Sequence, residues 1–516
     1  MRRFLLPVVG ALGGAILLAG VSFAANSSPD TSYLHWPAPG GKYASIDGHQ
    51  LWQLVAEQAR IAEHYRDSGH PQFWGRLAGT SSDVEDAQWL MAKYKQIGLE
   101  TRLQTINFFN PQWSPQSWSV MGPAGDRTQV NLTSAEPAYG SPDTGGKELD
   151  LELVYVGLGS EADFANRDGR GKAVLFVKGQ PSYQAGPADI LKRAEDHGAA
   201  ALLSTDLRGG NFNAQSYRAY THVPTFNIGT KDSEMLRAAI AHPPPGQPPH
   251  VQIRLAANWL DNQKSYLVWG TLPGMTDETI YVIAHRDGFF DAAGDNATGV
   301  ATMLGLAEYF AKIPKAQRRR TIVFLGMDGH HNIKPGGFGR EWLVANRDKY
   351  FAKTALMINA EHPAEVLSHG GTAGMTTAAI PLEWYAGGAS RPALEKITAD
   401  AFHQFGVPVW EHPSERPPGG DLGRFYWFVP GVVAQSNDFV NMHTAADTPG
   451  NVPWTGLEAI TRAYAKIIDE VNTIPLADLQ RPAPSDPNAP GTEAGYLSLA
   501  HCEAWEKDST ASCVQN

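Results

Sequence analysis

Five short stretches of this chain carry side chains of the kind that hold metal ions. They are His285-Arg286-Asp287, Asp295, Asp328-Gly329-His330-His331, Glu361-His362 and His443. Four of them come after apolar runs, at Thr279–Ala284, Thr321–Met327, Thr354–Ala360 and Gly431–Gln435. Runs of this length and composition read as strands buried on both faces. In an open α/β sheet, ligands gather outside the carboxyl ends of the strands. Imidazole and carboxylate groups offered at four successive strand ends therefore point to a transition-metal site. The His285-x-Asp287 spacing adds to this. A metal-bound imidazole donates its other N–H to a carboxylate, which fixes its tautomer, and Asp287 stands where it can serve. Asp295 precedes a helix, where capping that helix and bridging two cations are compatible tasks.

The elements that must position these groups are legible around them. Helical patterns over Thr298–Phe310, Arg340–Phe351, Pro392–Phe405 and Gly456–Val471 alternate with the apolar strands. This predicts an α/β fold, a mixed and largely parallel sheet sandwiched by helices. Upstream, Ser82-Asp83-Val84-Glu85 has capping-box spacing. Apolar residues at 84, 87, 90, 91, 94 and 97 then continue a helix that Gly98 stops, ahead of a strand over Thr101–Phe109. From 120 to 262 the character changes to short β runs (Leu151–Val156, Lys172–Val177, Ala200–Ser204), a helix near Pro187–His197 and the Pro-rich His242–Pro249. This segment reads as an inserted β-rich domain. The expected division is a signal peptide at 1–24, the first part of the main domain at 25–119, the insert at 120–262, the metal-bearing part at 263–476 and a tail at 477–516.

Composition narrows the partners. Among 516 residues, 42 Lys and Arg stand against 53 Asp and Glu, and no basic run exceeds Arg318-Arg319-Arg320. This argues against a nucleic-acid partner. The two cysteines, Cys502 and Cys513, exclude a disulfide scaffold and a thiolate zinc cluster. Arg2-Arg3, the apolar stretch Phe4–Ala24 and Ser22-Phe23-Ala24 fit a cleaved signal peptide with Ala25 as first mature residue. An uncleaved anchor is the alternative and the one route to a membrane. Both export the rest of the chain, to the periplasm or medium, where Cys502 and Cys513 can pair.

Together these features resemble the co-catalytic zinc peptidases of metallopeptidase family 28. The resemblance rests on Arg76-Leu-Ala-Gly-Thr80 with Asp83 and Gly98-Leu99, and on Gly171–Val177 with His197-Gly-Ala-Ala200, which look like a protease-associated insert. It rests also on Val268–Gly274 leading into His285-x-Asp287, on Arg319–Phe324, and on His443-Thr-x-x-Asp447-Thr448. It implies metal ligands at His285, Asp295, His331, Glu361 and His443, with Asp295 as the bridge. It also implies one or two zinc ions and a substrate that is a peptide or an N-acyl amino acid. Arg286, His362, Asp421 and Arg424 are candidates to line the cleft, although charged loop residues usually face water. Oligomeric state is not readable from the sequence.

The chain departs from the family pattern where an acid pair, base and ligand, is expected: it has His330-His331. The family Asp at the third strand end is Glu361, and the Tyr that often precedes the last His is Met442. The ligand set then carries two carboxylates instead of three, so a second ion is less well neutralised. Neutral imidazole accepts a proton near pH 7, which assigns His330 as the catalytic proton carrier, with Asp287 the orienting catalytic acid. Metal binding by His330 is the other use of the same ring. Two functional classes follow: an exported metal-dependent exopeptidase or amidohydrolase, and a non-catalytic relative kept as a binding module. Every ligand position holds a competent donor, which favours the enzyme.

Overall fold

The computed structural model describes residues 38–479, apart from 109–110, 125–127, 179–187, 206–209, 216–220, 332–336, 366, 369–375, 379–382, 389–391, 408–409, 414–416 and 437–440. The expected signal peptide, the tail beyond 479 and the Cys502–Cys513 pair lie outside the described residues.

In chain order, helices α1 (Gly48–Asp67) and α2 (Ser81–Ile97) are followed by strand β1 (Glu100–Asn107). A β-rich stretch comes next: β2 (Gln112–Pro123), β3 (Gln129–Asn131), β4 (Glu136–Pro137), β5 (Leu149–Tyr155), β6 (Ala173–Val177), α3 (Ala188–Asp196), β7 (Ala201–Thr205), β8 (Thr225–Ile228), α4 (Thr230–Ala241) and β9 (His250–Leu260). The chain then returns through β10 (Lys264–Leu272), β11 (Thr279–His285), α5 (Thr298–Ala311), β12 (Thr321–Met327), α6 (Gly337–Ala345) and β13 (Thr354–Asn359). It closes with β14 (Glu383–Gly388), α7 (Ala393–Phe405), β15 (Trp410–Glu411), β16 (Pro430–Gln435) and α8 (Trp454–Val471).

Two eight-stranded sheets result. The first has the order β15-β14-β16-β13-β11-β12-β10-β1. Its centre, β16-β13-β11-β12, is parallel throughout, and β10, β1 and β14 join antiparallel. The fold is thus α/β with a mixed sheet. The parallel centre explains the site, because the carboxyl ends of four strands share one edge. Strand β11 shows why these residues form a central strand: Ile280, Val282 and Ala284 enter one core, while Tyr281 and Ile283 enter the other. Alternation with both faces apolar is what a strand covered on each side requires. Helices α1, α2, α5, α7 and α8 cover the first face, and α6 with the segment 422–429 covers the second.

The second sheet has the order β3-β2-β9-β5-β6-β7-β8-β4 and its own apolar core. It begins at Gln112, ahead of the boundary at 120 read from the sequence, because β2 pairs with β9 back to Gln112↔Leu260.

Two local expectations give way to side-chain competition. The capping box at Ser82–Glu85 does not form. Thr80 occupies the N-cap of α2, the Ser82 hydroxyl accepts from Leu77 N–H, and the Glu85 carboxylate lies 2.9 Å from His64 Nδ1. The single helix expected over Arg340–Phe351 breaks after Ala345, where the Asn346 side chain donates to the Trp342 carbonyl, a competition typical of Asn.

Arg286 turns away from the cleft that its sequence position suggested. Its guanidinium is buried, 2.7 Å from Asp86 and 2.9 Å from Asp83, and so pins α2 to the end of β11. Removing one partner of a buried ion pair strands the other charge. Arg286→Met is expected to lower the unfolding free energy by about 3–5 kcal/mol in chemical denaturation, with partial recovery when Asp83→Asn and Asp86→Asn are added. A loss below about 1 kcal/mol would show the pair to be dispensable.

Candidate metal centre

His285 is the last residue of β11. His330 and His331 form the turn after β12, Glu361 lies two residues beyond β13, and His443 sits in the turn that follows β16. Asp295 arrives from the loop between β11 and α5. All are buried, none more than 8 % exposed. Three overlapping sets of donors lie within 4.8 Å of one another: His285, Asp287 and His331; His285, His330 and Glu361; Asp295, His331 and His443. Every site residue named from the sequence is therefore in one cluster.

Asp295 divides its oxygens. Oδ1 lies 3.2 Å from His285 Nε2, while Oδ2 lies 3.0 Å from His443 Nε2 and 3.3 Å from His331 Nε2. The residues fit a bound transition dication on an observation of their own. His285 Nε2, Asp295 Oδ1 and Glu361 Oε2 are buried and make no well-aligned hydrogen bond among the described residues, although the first two lie 3.2 Å apart. Such orphaned atoms are costly unless a cation takes them up.

Asp287 works differently from the sequence expectation. His285 Nδ1 faces the Asp287 backbone carbonyl at 3.1 Å, with the nearer carboxylate oxygen at 3.6 Å. The carboxylate instead accepts the backbone N–H groups of His330 and His331, both at 2.8 Å, and lies 3.2 Å from His331 Nδ1. Two convergent N–H donors in a tight turn capture the acid, so it holds the His330-His331 turn and orients the His331 ring.

The loops are fastened from behind. The buried Arg76 guanidinium donates to the carbonyls of Gln58, Arg286, Asp291 and Ala292. Asp447 accepts from the N–H groups of Gly294 and Asp295 at 2.6 and 3.1 Å. The Asn296 side chain donates to Ala360 O and accepts from His362 N–H, tying the Asp295 loop to the Glu361 loop. Gly299 makes that approach possible, since a Cβ there would sit 2.1 Å from the Ala360 carbonyl oxygen. His443 has a left-handed backbone, φ 58°. Its carbonyl accepts from Gln215 N–H at 2.8 Å, and Ala445 N–H donates to Asn213 O, so a strap from the second sheet pairs with the segment that carries it.

Sequence reasoning passed over Phe289, whose ring lies 5.1 Å from that of His331 and 5.6 Å from that of His443. Asp421, read from the sequence only as a candidate to line the cleft, is buried 3.1 Å from His330 Nδ1. No local pattern marks either. Of the other residues suggested for the cleft, His362 is buried beside Glu361, and Arg424 pairs with Glu341.

Electrostatics follow from this packing. Burial opposes charge on His331, but Asp295 and Asp287 outweigh it and raise its pKa to about 9. Burial also opposes charge on His285, and Glu361, Asp287 and Asp295 push it well above the usual imidazole range. Against the same burial, the imidazoles of His331, His285 and His443 hold the Asp295 carboxyl well below its ordinary value, and His285 and His330 lower Glu361 to about 2. Without a bound cation, protons on imidazole neutralise these carboxylates. Zinc uptake must expel them. With His331 near 9, apparent zinc affinity is expected to rise with pH up to about 9, with about one or more protons released per ion at pH 7. Calorimetry in buffers of different ionisation heat measures this; affinity flat from about pH 6 to 9 with no proton release would contradict it.

Residues 268–468 match the model of peptidase family M28. Aminopeptidase YwaD of Bacillus subtilis is 25% identical over 268 residues, which is 48% of this chain and 50% of that protein, so the match spans half the length of this relative. Among solved structures, a Peptidase M28 precursor from Shewanella amazonensis aligns with a TM-score of 0.64 at 17% identity, covering 85% of this chain and 98% of its own. BSAP, a zinc aminopeptidase from Bacillus subtilis, aligns at 0.59 and 16%, covering 84% and 98%. These similarities are of fold, with the strand ends that bear the donors included in the matched segment.

Proposed function

Because residues 268–468 belong to peptidase family M28, we propose that this chain is an exported, zinc-dependent exopeptidase that removes residues from the amino end of peptides. N-acyl amino acids are the second substrate class. The observation that carries the reading is the division of Asp295 between two donor groups, Oδ1 towards His285 and Oδ2 towards His331 and His443. A carboxylate so placed is suited to hold two cations.

His285 and Glu361 would hold one ion, His331 and His443 the other, with Asp295 between them. Bound zinc supplies polarisation of the scissile carbonyl and acidifies a water molecule. The chain's own residues do the rest. Asp287 keeps His331 oriented, Asp447 fixes the backbone of Asp295, and Phe289 with the buried surroundings excludes bulk water. The second sheet supports the preference for chain ends. Trp113, Tyr139 and Leu260 from that sheet close over Asp287, Phe289 and His331 around a cavity of about 40 Å³. Among the described residues, this wall stands directly beside the centre, which favours substrates that present one end to it. This sheet is read as a protease-associated lid. The names of the relatives, both aminopeptidases, favour the amino end. The leader Arg2–Ala24 supports export to the periplasm or medium.

The non-catalytic reading draws no support from the cluster, since a retired site sheds ligands and this one has kept all of its donors. The test is turnover by the zinc-loaded mature protein against aminoacyl p-nitroanilides, peptides blocked at either end and N-acetyl amino acids. Hydrolysis that needs a free amino terminus, stops with 1,10-phenanthroline and falls at least about 100-fold in His443→Ala is expected. Failure of fully zinc-loaded protein to cleave any of these would refute the enzyme and turn the search to binding partners.

A further inference from the structure

His330 occupies the position that the sequence assigned to proton transfer, yet the structure gathers it with the metal donors. Its Nε2 lies 3.8 Å from Glu361 Oε1, the oxygen that His285 Nε2 approaches to 3.5 Å. Two ligands on one tetrahedral zinc, each about 2.0–2.2 Å from it, stand about 3.3–3.5 Å apart, so these separations are close to those of atoms sharing an ion. The His330 ring also stacks on His285, with centroids 4.3 Å apart and planes at 18°, which brings both rings to the same carboxylate.

The far side of the ring is arranged in the same sense. His330 Nδ1 lies 3.1 Å from Asp421 Oδ1, and Arg340 donates to that oxygen at 3.3 Å. Asp421 is fully buried at the start of the short turn 422–425, which covers the second face of the sheet. A carboxylate on one nitrogen with the other aimed at neighbouring ligands is the arrangement that orients a metal-bound imidazole. The carboxylate lost where His331 replaces an acid is not restored, but His330 adds a sixth donor to the five at the family's ligand positions.

We propose that His330, oriented by Asp421, is itself a metal ligand, so that His285, His330 and Glu361 hold one ion, His331 and His443 hold the other, and Asp295 reaches both. Each ion then has two imidazoles and carboxylate oxygen. That donor set suits zinc and its transition-metal neighbours rather than magnesium or calcium. Asp421 is a positioning residue for this ligand. The inference rests on the metal centre of the peptidase reading and removes His330 from proton transfer.

The test is metal content and affinity, independent of turnover. Chelator-stripped full-length protein is titrated with Zn²⁺ against a chromophoric chelator, and bound metal is counted by elemental mass spectrometry. Wild type is expected to bind two equivalents. His330→Ala is expected to keep one, or to hold the second at least about 100-fold more weakly, and His443→Ala to lose the other. Asp421→Asn, which preserves side-chain volume, should keep two equivalents with one dissociation constant weakened about 10–100-fold. Reconstitution with Co²⁺ should give a visible spectrum that changes in His330→Gln as in His330→Ala. Two ions at wild-type affinity and an unchanged cobalt spectrum in the His330 variants would overturn the proposal alone and return the ring to proton transfer. No metal bound by wild type would overturn this inference and the peptidase reading together.

Discussion

Charge buried at the ends of parallel strands must be neutralised where it lies, because the interior offers no water to do so. This constraint organises the molecule. Arg286 meets Asp83 and Asp86 and locks α2 to the sheet. Asp328 accepts Gly339 N–H, but burial, with Asp83 and Asp287 nearby, pushes it up to about 8. Asp295 and Glu361 face imidazoles instead, and their carboxyls are held low. The contrast separates a carboxylate that burial keeps protonated from those arranged to meet positive charge. In the second group the positive charge is carried by groups that must give up their protons when a dication arrives.

The scaffold supplies the precision that such a cluster needs. Four strands ending at one edge bring His285, the His330-His331 turn, Glu361 and the His443 segment together, and backbone hydrogen bonds set their spacing. Arg76, Asp287, Asp447 and Asn296 then fix the connecting loops through backbone groups, so that side chains from distant parts of the chain cannot drift apart. The second sheet is part of this machinery. Its strap at 213–215 pairs beside His443. This pairing helps to fix the backbone of the segment that carries His443.

Much of this was legible in the sequence, for a physical reason. Apolar runs such as Thr321–Met327 and Thr279–His285 are short, contiguous and bounded by polar ends, so strand positions and the donors that follow them can be read together. Groups that act across the chain were not legible. Asp421 reaches His330 over 91 positions, and Arg286 looked like a cleft residue until Asp83 and Asp86 claimed it. The capping box at Ser82–Glu85 failed for a similar reason, since the Ser82 hydroxyl accepts from Leu77 N–H and the Glu85 carboxylate lies 2.9 Å from His64 Nδ1 of α1. The antiparallel β14 carries no polar-apolar alternation to announce it, being buried along its length.

The central claim is that Asp295 stands between two cation sites. Crystals of zinc-loaded protein, with diffraction recorded on either side of the zinc absorption edge, test it most directly. The account predicts two anomalous peaks, one beside His285 and Glu361 and one beside His331 and His443, with the Asp295 carboxylate between them. A single peak bound through His285 and His331 to Asp287, or no peak inside the cluster, would contradict it.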